Sequence, residues 1–183
     1  MEEVFTPEKV KNRLVLAGLK ELDKHGVIDF SLRRVAIEAG VSCAAPYRHF
    51  KDKDELISAI IAYVMEGWTL LSEQIGELYA DDPKSLICEL AVAGARFWIA
   101  NGNFRTVIMN APKLSEGSAM QAFESPFLNA VEALCRIENG YDKTVLTFRA
   151  LSLVYGAITL ADAGYESADA TDHLRNTMAE LFS

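Results

Sequence analysis

One segment of this chain constrains its fold more than any other: residues 31–53, which read SLRRVAIEAGVSCAAPYRHFKDK. Ser31 is a favourable helix N-cap. The residues after it place apolar side chains on one helical face, namely Leu32, Val35, Ala36 and Ala39. Gly40 follows, where a helix end favours a residue that tolerates positive φ. Ser42 is then predicted to cap a second helix over residues 43–50. Two short helices joined by a three-residue turn are the layout of a helix-turn-helix, whose second helix enters the major groove of DNA.

The charge of this segment is consistent with contact to DNA. Five basic side chains stand against two acidic ones, a net +3 in a chain whose net charge is −8. An acidic protein with one local cationic face is oriented toward DNA by that face. A solvated pair of surface helices would explain the charge alone, but it would not explain the charge together with the caps and the turn in this order. We therefore expect DNA binding with a strong salt dependence.

Residues 10–61, which include this segment, resemble the N-terminal domain of TetR-type (tetracycline-repressor family) transcriptional regulators. The matching elements, in the family's order and spacing, are Leu14-Val15-Leu16-Ala17, Gly26, Ser31-Leu32-Arg33-Arg34-Val35-Ala36, Gly40-Val41-Ser42, Tyr47-Arg48-His49-Phe50 and Lys53-Asp54-Glu55-Leu56. The resemblance implies an all-α fold. Its N-terminal three-helix helix-turn-helix DNA-binding domain would span residues 1–52, joined to a C-terminal helical ligand-binding and dimerisation domain over residues 53–183.

The predicted DNA contacts lie on the two short helices and at the start of the fourth. They are Ser31, Arg33, Ser42, Cys43, Ala44, Tyr47, Arg48, His49 and Lys53. A small group such as Ala44 fits against a thymine methyl, and an arginine pairs bidentately with guanine. The resemblance implies that Arg33 and the first turn of the second helix read bases, and that Tyr47, His49 and Lys53 mostly hold the DNA backbone. Ser31 and Ser42 are expected to offer backbone N–H groups to phosphates.

Pro46 departs from the family pattern, which most often has leucine at this position. Proline has no backbone N–H, so it removes one hydrogen bond from the first turn of the second helix. We therefore expect an irregular start to that helix, which affects the aim of Cys43 and Ala44.

The rest of the chain also has helical patterns. Helices are predicted from Pro7 to Lys24, from Asp52 to about Tyr79, and from Asp82-Pro83 to about Asn101, with a short one over residues 103–110. Residues 119–138 follow a helical pattern that Pro126 is expected to break or kink. Asp142 is predicted to cap a helix reaching Ala163, and a last helix covers residues 170–182.

The C-terminal two thirds contain large apolar side chains at helical spacing, which are typical of a core. Glycines within the same helices leave room for a ligand or for close helix contact. The candidate ligand-binding residues are Met65, Trp68, Phe97, Trp98, Phe148 and Tyr155. In the family the last two helices pair with a second copy. The residues spaced suitably for that pairing here are Val154, Ile158, Leu174, Met178 and Leu181.

These observations predict a ligand-responsive transcriptional regulator, most simply a repressor. It would bind a palindromic double-stranded DNA operator as a homodimer and be released by a small hydrophobic effector. The alternative is a helical ligand- or partner-binding module that no longer binds DNA. An enzyme is not expected, because no His-Glu-x-x-His, Gly-x-Ser-x-Gly or phosphate-loop motif is present. No cofactor or metal is expected either. The three scattered cysteines fit a reduced, cytoplasmic protein, and no uninterrupted apolar run suggests a membrane partner.

Overall fold

The structure, a computed structural model, describes residues 6–110 and 118–182. Within those ranges the chain forms nine α-helices and no β-strand, which confirms the predicted all-α class. The helices are α1 (Pro7–His25), α2 (Leu32–Glu38), α3 (Ala45–His49), α4 (Lys53–Leu78), α5 (Pro83–Ala100), α6 (Gly102–Asn110), α7 (Ser118–Ile137), α8 (Lys143–Asp162) and α9 (Ser167–Glu180).

Several helix starts follow the predicted capping residues. The carboxylate of Asp82 accepts from Ser85 N at 3.1 Å, and that of Asp142 accepts from Val145 N at 2.9 Å. Before α4, Asp52 accepts from Glu55 N at 2.9 Å, and Glu55 reaches back to accept from the backbone N–H of Lys51. Each side chain satisfies an amide that the first helical turn leaves without a partner. The final helix begins at Ser167, earlier than the predicted residue 170.

Pro126 was expected to break or kink the helix that contains it, and the break does not occur. Helix α7 runs from Ser118 to Ile137 with Pro126 inside it. The proline removes the amide that would donate to the Ala122 carbonyl. The Ser125 hydroxyl donates to that carbonyl instead, at 3.4 Å. This replacement bond, together with packing of the apolar face of α7, keeps the helix continuous.

The described residues fall into two compact units. Unit 1 lies within Met1–Val64 and Asn103–Ala119, and unit 2 within Met65–Gly102 and Met120–Ser183. Helix α6 therefore belongs to unit 1, although it follows α5 in sequence. Within unit 1 the Asn103 side chain donates to the backbone carbonyl of Asp23 at 3.0 Å and to its carboxylate at 2.7 Å. These bonds connect the first turn of α6 to the C-terminal end of α1.

The core of unit 1 is built from the apolar faces of its helices. Leu14 and Leu22 of α1, Val35 of α2, and Ile57 and Ile60 of α4 are each 0% exposed. Helices α1 and α4 approach closely at Gly18, where an added Cβ would lie 2.6 Å from Ile60 Cδ1. The glycine in α1 therefore permits the contact on which the core depends.

In unit 2, helices α5, α8 and α9 pack against one another. This packing corrects the predicted pairing surface. Val154, Ile158, Leu174 and Met178 are 0–4% exposed, because they already face the core of their own chain. Four of the five residues assigned to a second copy are therefore core residues, and Leu181 is half-buried.

Helices α4 and α8 are long and apolar enough to cross a membrane when judged by length and composition alone. Each has a buried face that includes Trp68 and Val154 respectively. Core helices of globular proteins pass the same test.

Candidate functional site

The first helix of the predicted DNA-binding motif, α2, is held against α1 by a buried carboxylate. Glu21 is 6% exposed and accepts from Ser31 N at 3.1 Å and from Arg34 Nε at 2.7 Å. Arg34 also donates to the backbone carbonyl of Asp29. Burial by itself raises the pKa of Glu21, but these hydrogen bonds and the charges of Arg34 and His25 outweigh it and lower that pKa. The start of α2 is thereby fixed against α1.

The turn between α2 and α3 has the geometry that the sequence predicts. Gly40 adopts φ +65°, with its N–H bonded to the Ile37 carbonyl at 3.0 Å. The Val41 N–H bonds to the Ala36 carbonyl at 3.0 Å. This pair of bonds is a Schellman motif, which ends a helix at a residue in the left-handed region. At the other end of α2, the Ser31 hydroxyl accepts from Arg34 N, so its predicted capping role is confirmed.

Helix α3 starts later than predicted, and Ser42 is not its cap. Regular helix begins at Ala45, after an N-cap at Ala44 that makes no side-chain bond. Pro46 has no N–H to donate to the Ser42 carbonyl, and Ala45 N donates to it instead at 2.9 Å. Cys43 and Ala44 therefore lie in the turn that precedes the helix. The expected irregular start is confirmed.

Most of the predicted DNA-contacting residues are exposed to solvent. Arg33 on α2, Arg48 on α3 and Tyr47, which is 65% exposed, all face solvent. Ser42, Cys43 and Ala44 are also exposed, on the turn. Arg33 and Arg48 make no ion pair with any residue in the described ranges. The two arginines are therefore available to an anionic partner.

Three other residues predicted to contact DNA are bonded within unit 1 or are less exposed than the arginines. The Lys53 ammonium donates to the Val27 carbonyl at 2.6 Å and lies 5.9 Å from the Phe30 ring centre. The Ser31 N–H is bonded to Glu21, so it is not offered to solvent. His49 is half-buried. These residues position the motif in the free protein.

Most of the predicted ligand-binding residues meet in an aromatic cluster inside unit 2. The cluster consists of Trp68, Phe97, Trp98, Phe123, Phe127 and Tyr155, with neighbouring ring centres 4.9–6.3 Å apart. Trp68, Trp98, Phe123 and Phe127 are 0% exposed. Met65 is buried in the same unit, whereas Phe148 is 72% exposed and is not part of the cluster. The interior is therefore filled by rings.

A polar pair borders the cluster. The Tyr155 hydroxyl donates to Glu124 Oε1 at 3.0 Å. Burial, together with the adjacent carboxylate, raises the pKa of Tyr155, so the phenol stays protonated and remains the donor.

A sequence profile of the tetR family of bacterial regulatory proteins matches residues 14–60, which cover α1 to α3 and the start of α4. Over these residues the chain is similar to the TetR family. The HTH-type transcriptional regulator AcrR of Shigella flexneri is 32% identical over 92 residues, or 46% of this chain and 40% of that regulator. The alignment thus spans less than half of the relative's length.

Over nearly the whole chain the fold is similar to that of solved transcriptional regulators. A putative TetR-family regulator from Mesorhizobium loti superposes with a TM-score of 0.77 at 15% identity, covering 97% of this chain and 96% of that one. FadR from Bacillus subtilis, in complex with stearoyl-CoA, superposes with a TM-score of 0.72 at 10% identity, covering 92% and 97%. The family profile and the AcrR relative are both described as regulators of transcription.

Two features of this chain were not predicted from the sequence. Glu21 lies seven residues after Leu14, at a spacing that places it on the buried face of α1, and that position signals a buried carboxylate. Phe123 and Phe127 share the apolar face of α7, but the expected break at Pro126 hid their pairing. Both features can be recognised when continuous helical periodicity is assumed along α1 and along α7.

Unit 2 also has open grooves. A groove of about 450 Å³ is lined by residues of α5 and α9, including Arg96 and Thr171. Two further grooves lie in the same unit. One, of about 640 Å³, is lined by α4, α5 and α7, including Thr69, Leu90, Ala122 and Pro126. The other, of about 310 Å³, lies between α8 and α9 and is lined by Gly156, Leu160, His173 and others. In the described part of the chain no group of His, Cys, Asp or Glu side chains is arranged to hold a metal ion, and the three cysteines are free thiols.

Proposed function

We propose that this protein is a ligand-responsive transcriptional repressor that binds a palindromic operator as a homodimer. The observation that carries the proposal is the exposed surface of α2, the turn and α3. Arg33, Tyr47 and Arg48 face solvent there, and Ser31 caps α2. Arginine donors pair with guanine or with phosphate oxygens. We assign the DNA-binding domain to residues 1–52 and the ligand-binding and dimerisation domain to residues 53–183.

The proposed contacts divide into two kinds. Arg33, Cys43, Ala44 and Arg48 approach base edges, while Tyr47, His49 and Lys53 hold the backbone, with Ser31 and Ser42 at the helix and turn starts. Lys53 has three N–H donors, so it can keep its bond to Val27 and donate another to a phosphate. Base contacts would specify the operator, and phosphate contacts would fix the register.

Selection of bound duplexes from a random pool tests the DNA-binding proposal. We expect a palindrome with half-sites about one helical turn apart, roughly 34 Å, because two recognition helices must reach successive major grooves. Affinity for the selected duplex should fall steeply as salt rises. Failure of folded, dimeric protein to enrich any sequence would contradict the proposal and favour a partner-binding module without DNA affinity.

Replacing Arg33 by alanine should weaken binding to the selected operator about 10–100-fold, since one arginine–base contact contributes about 1–3 kcal/mol. The measurement is fluorescence anisotropy with labelled duplex at fixed salt. Arg96→Ala is the matched control, because Arg96 is an exposed arginine on α5 in unit 2. An equal loss in both variants, or none in Arg33→Ala, would count against the assigned contact.

The effector is proposed to be a small hydrophobic molecule that binds in unit 2. The apolar interior and the groove beside α4, α5 and α7 support this, as does the FadR relative in complex with stearoyl-CoA. Occupancy changes operator affinity only if the effector binds one conformation more tightly than the other. We further propose that the protein acts in the cytoplasm without a membrane partner.

The homodimer is proposed to form through the outer faces of α8 and α9. Phe148 and Leu160 on α8 are 72% and 46% exposed, and Tyr165 after it is 63% exposed. The groove between the two helices lies on the same side as Leu160 and Tyr165, which help to line it. An apolar face of this kind is stabilised when a second copy covers it.

Gly156→Leu should shift the dimer toward monomer, raising the dimer dissociation constant at least about tenfold, because leucine would fill the groove that the partner covers. The protomer itself has room, since an added Cβ at Gly156 has no neighbour within 4 Å. Sedimentation equilibrium measures the change. Gly67→Leu on α4 is the control, as an exposed helical glycine with equally open space. An unchanged dimer dissociation constant in Gly156→Leu would contradict this interface.

A further inference from the structure

The two tryptophans of the chain have unsatisfied hydrogen-bond donors. Trp68 and Trp98 are each 0% exposed, and no described residue offers an acceptor to either indole Nε1. A buried donor left without a partner costs about 1–3 kcal/mol relative to a bonded one. Most buried polar groups in folded proteins have partners, so two such donors in one cluster require an explanation.

Two rings, those of Phe97 and Phe123, each lie next to both indoles. The Phe97 ring centre lies 5.6 Å from that of Trp68 and 5.2 Å from that of Trp98. The Phe123 ring centre lies 4.9 Å from that of Trp68 and 5.3 Å from that of Trp98. The edge of Phe123 also rests on Gly94, where an added Cβ would be 3.0 Å from Phe123 Cζ. Phe123 therefore occupies the space that a ligand contacting both indoles would take.

The helix that carries Phe123 lacks one backbone hydrogen bond near this ring. Pro126 has no N–H for the Ala122 carbonyl, and the Ser125 hydroxyl supplies a longer replacement at 3.4 Å. The groove of about 640 Å³ is lined by α4, α5 and α7, the same three helices that carry Trp68, Trp98 and Phe123. Space is thus present among these helices for a displaced ring or for part of a ligand.

We propose that the effector is a neutral aromatic molecule carrying a hydrogen-bond acceptor, such as an aryl ketone, which replaces the Phe123 ring and accepts from Trp68 or Trp98. This rests on the ligand-binding part of the proposed function. A planar ring fits the edge and face contacts of the cluster. An anion is disfavoured, because the hydrogen-bonded carboxylate of Glu124 borders the cluster and the adjacent Tyr155 hydroxyl is already used.

The presence of only two tryptophans makes the test direct, because a nitrogen–proton correlation spectrum of the full-length protein contains two indole signals. The probes are acetophenone and α-methylstyrene, which have nearly the same shape but differ in the acceptor oxygen, and benzoate as the anion. We expect acetophenone to move at least one indole proton downfield and to bind about tenfold more tightly than α-methylstyrene. Benzoate should bind no better than α-methylstyrene.

Trp68→Phe and Trp98→Phe assign the two signals and each remove one donor while keeping a ring. The variant that lacks the contacted indole should lose the tenfold preference for acetophenone, and the other variant should keep it. If both variants keep the tenfold preference for acetophenone, the proposal is overturned.

Two further results would overturn it and leave the DNA-binding function intact. One is equal affinity for acetophenone and α-methylstyrene without movement of either indole signal. The other is no response to any probe in protein that still binds its selected operator. Loss of operator binding in untreated protein would instead count against the proposed function, so the two failures are distinguishable.

Discussion

Phe123→Ala should lower the free energy of unfolding by about 3–5 kcal/mol, the range for truncating a fully buried aromatic side chain. Phe123 is 0% exposed and contacts Trp68, Trp98, Phe127 and Tyr155, so its removal leaves a cavity among rigid rings. Urea denaturation followed by circular dichroism measures the loss. The total free energy of unfolding of a domain is only about 5–15 kcal/mol, so a loss of this size removes a large part of it. The variant should therefore be close to unfolded at 37 °C.

The control for Phe123→Ala is Ile137→Ala at the end of the same helix. Ile137 is 66% exposed, so its truncation should change the free energy of unfolding by no more than about 0.5 kcal/mol. A loss below about 1 kcal/mol in Phe123→Ala would show that the cluster collapses onto the vacated space or that the ring is not buried in solution.

Glu21→Ala should cost about 2–4 kcal/mol, because it leaves the Ser31 amide and Arg34 without their shared acceptor at the start of α2. Glu38→Ala is the matched control. Glu38 also pairs with a cation, Lys20 at 2.8 Å, but both side chains are well exposed, and such pairs contribute little. Equal destabilisation in the two variants would contradict the role of burial. Operator affinity should fall in Glu21→Ala alone, since α2 loses its anchor.

The same carboxylate gives stability a pH dependence of known sign. The pKa of Glu21 is lowered in the folded protein, so below its ordinary value of 4.5 the unfolded chain binds the proton more readily. The stabilisation is therefore complete above that value and is lost as the pH falls through the lower folded pKa. Glu21→Gln should remove this part of the acid sensitivity, as measured by urea midpoints between pH 3 and pH 6.

Many helix ends in both units could be predicted from the sequence because their signals are local. Ser31, Gly40, Asp82 and Asp142 act on amides within a few residues, so their capping and turn roles follow from neighbouring positions. Pro46 likewise has its effect within one turn, which is why the irregular start of α3 was expected. The exposed arginine surface followed from the same periodicity.

The tertiary structure decided which face of each apolar helix is buried. Helix α8 carries apolar residues on several faces, and only packing against α5 and α9 shows that Val154 and Ile158 point inward while Phe148 points outward. Contacts distant in sequence also kept α7 continuous through Pro126 and brought Phe123 between two tryptophans. A local sequence pattern specifies periodicity, whereas the choice among apolar faces depends on the area each can bury against other helices, and that is determined only when the chain has folded.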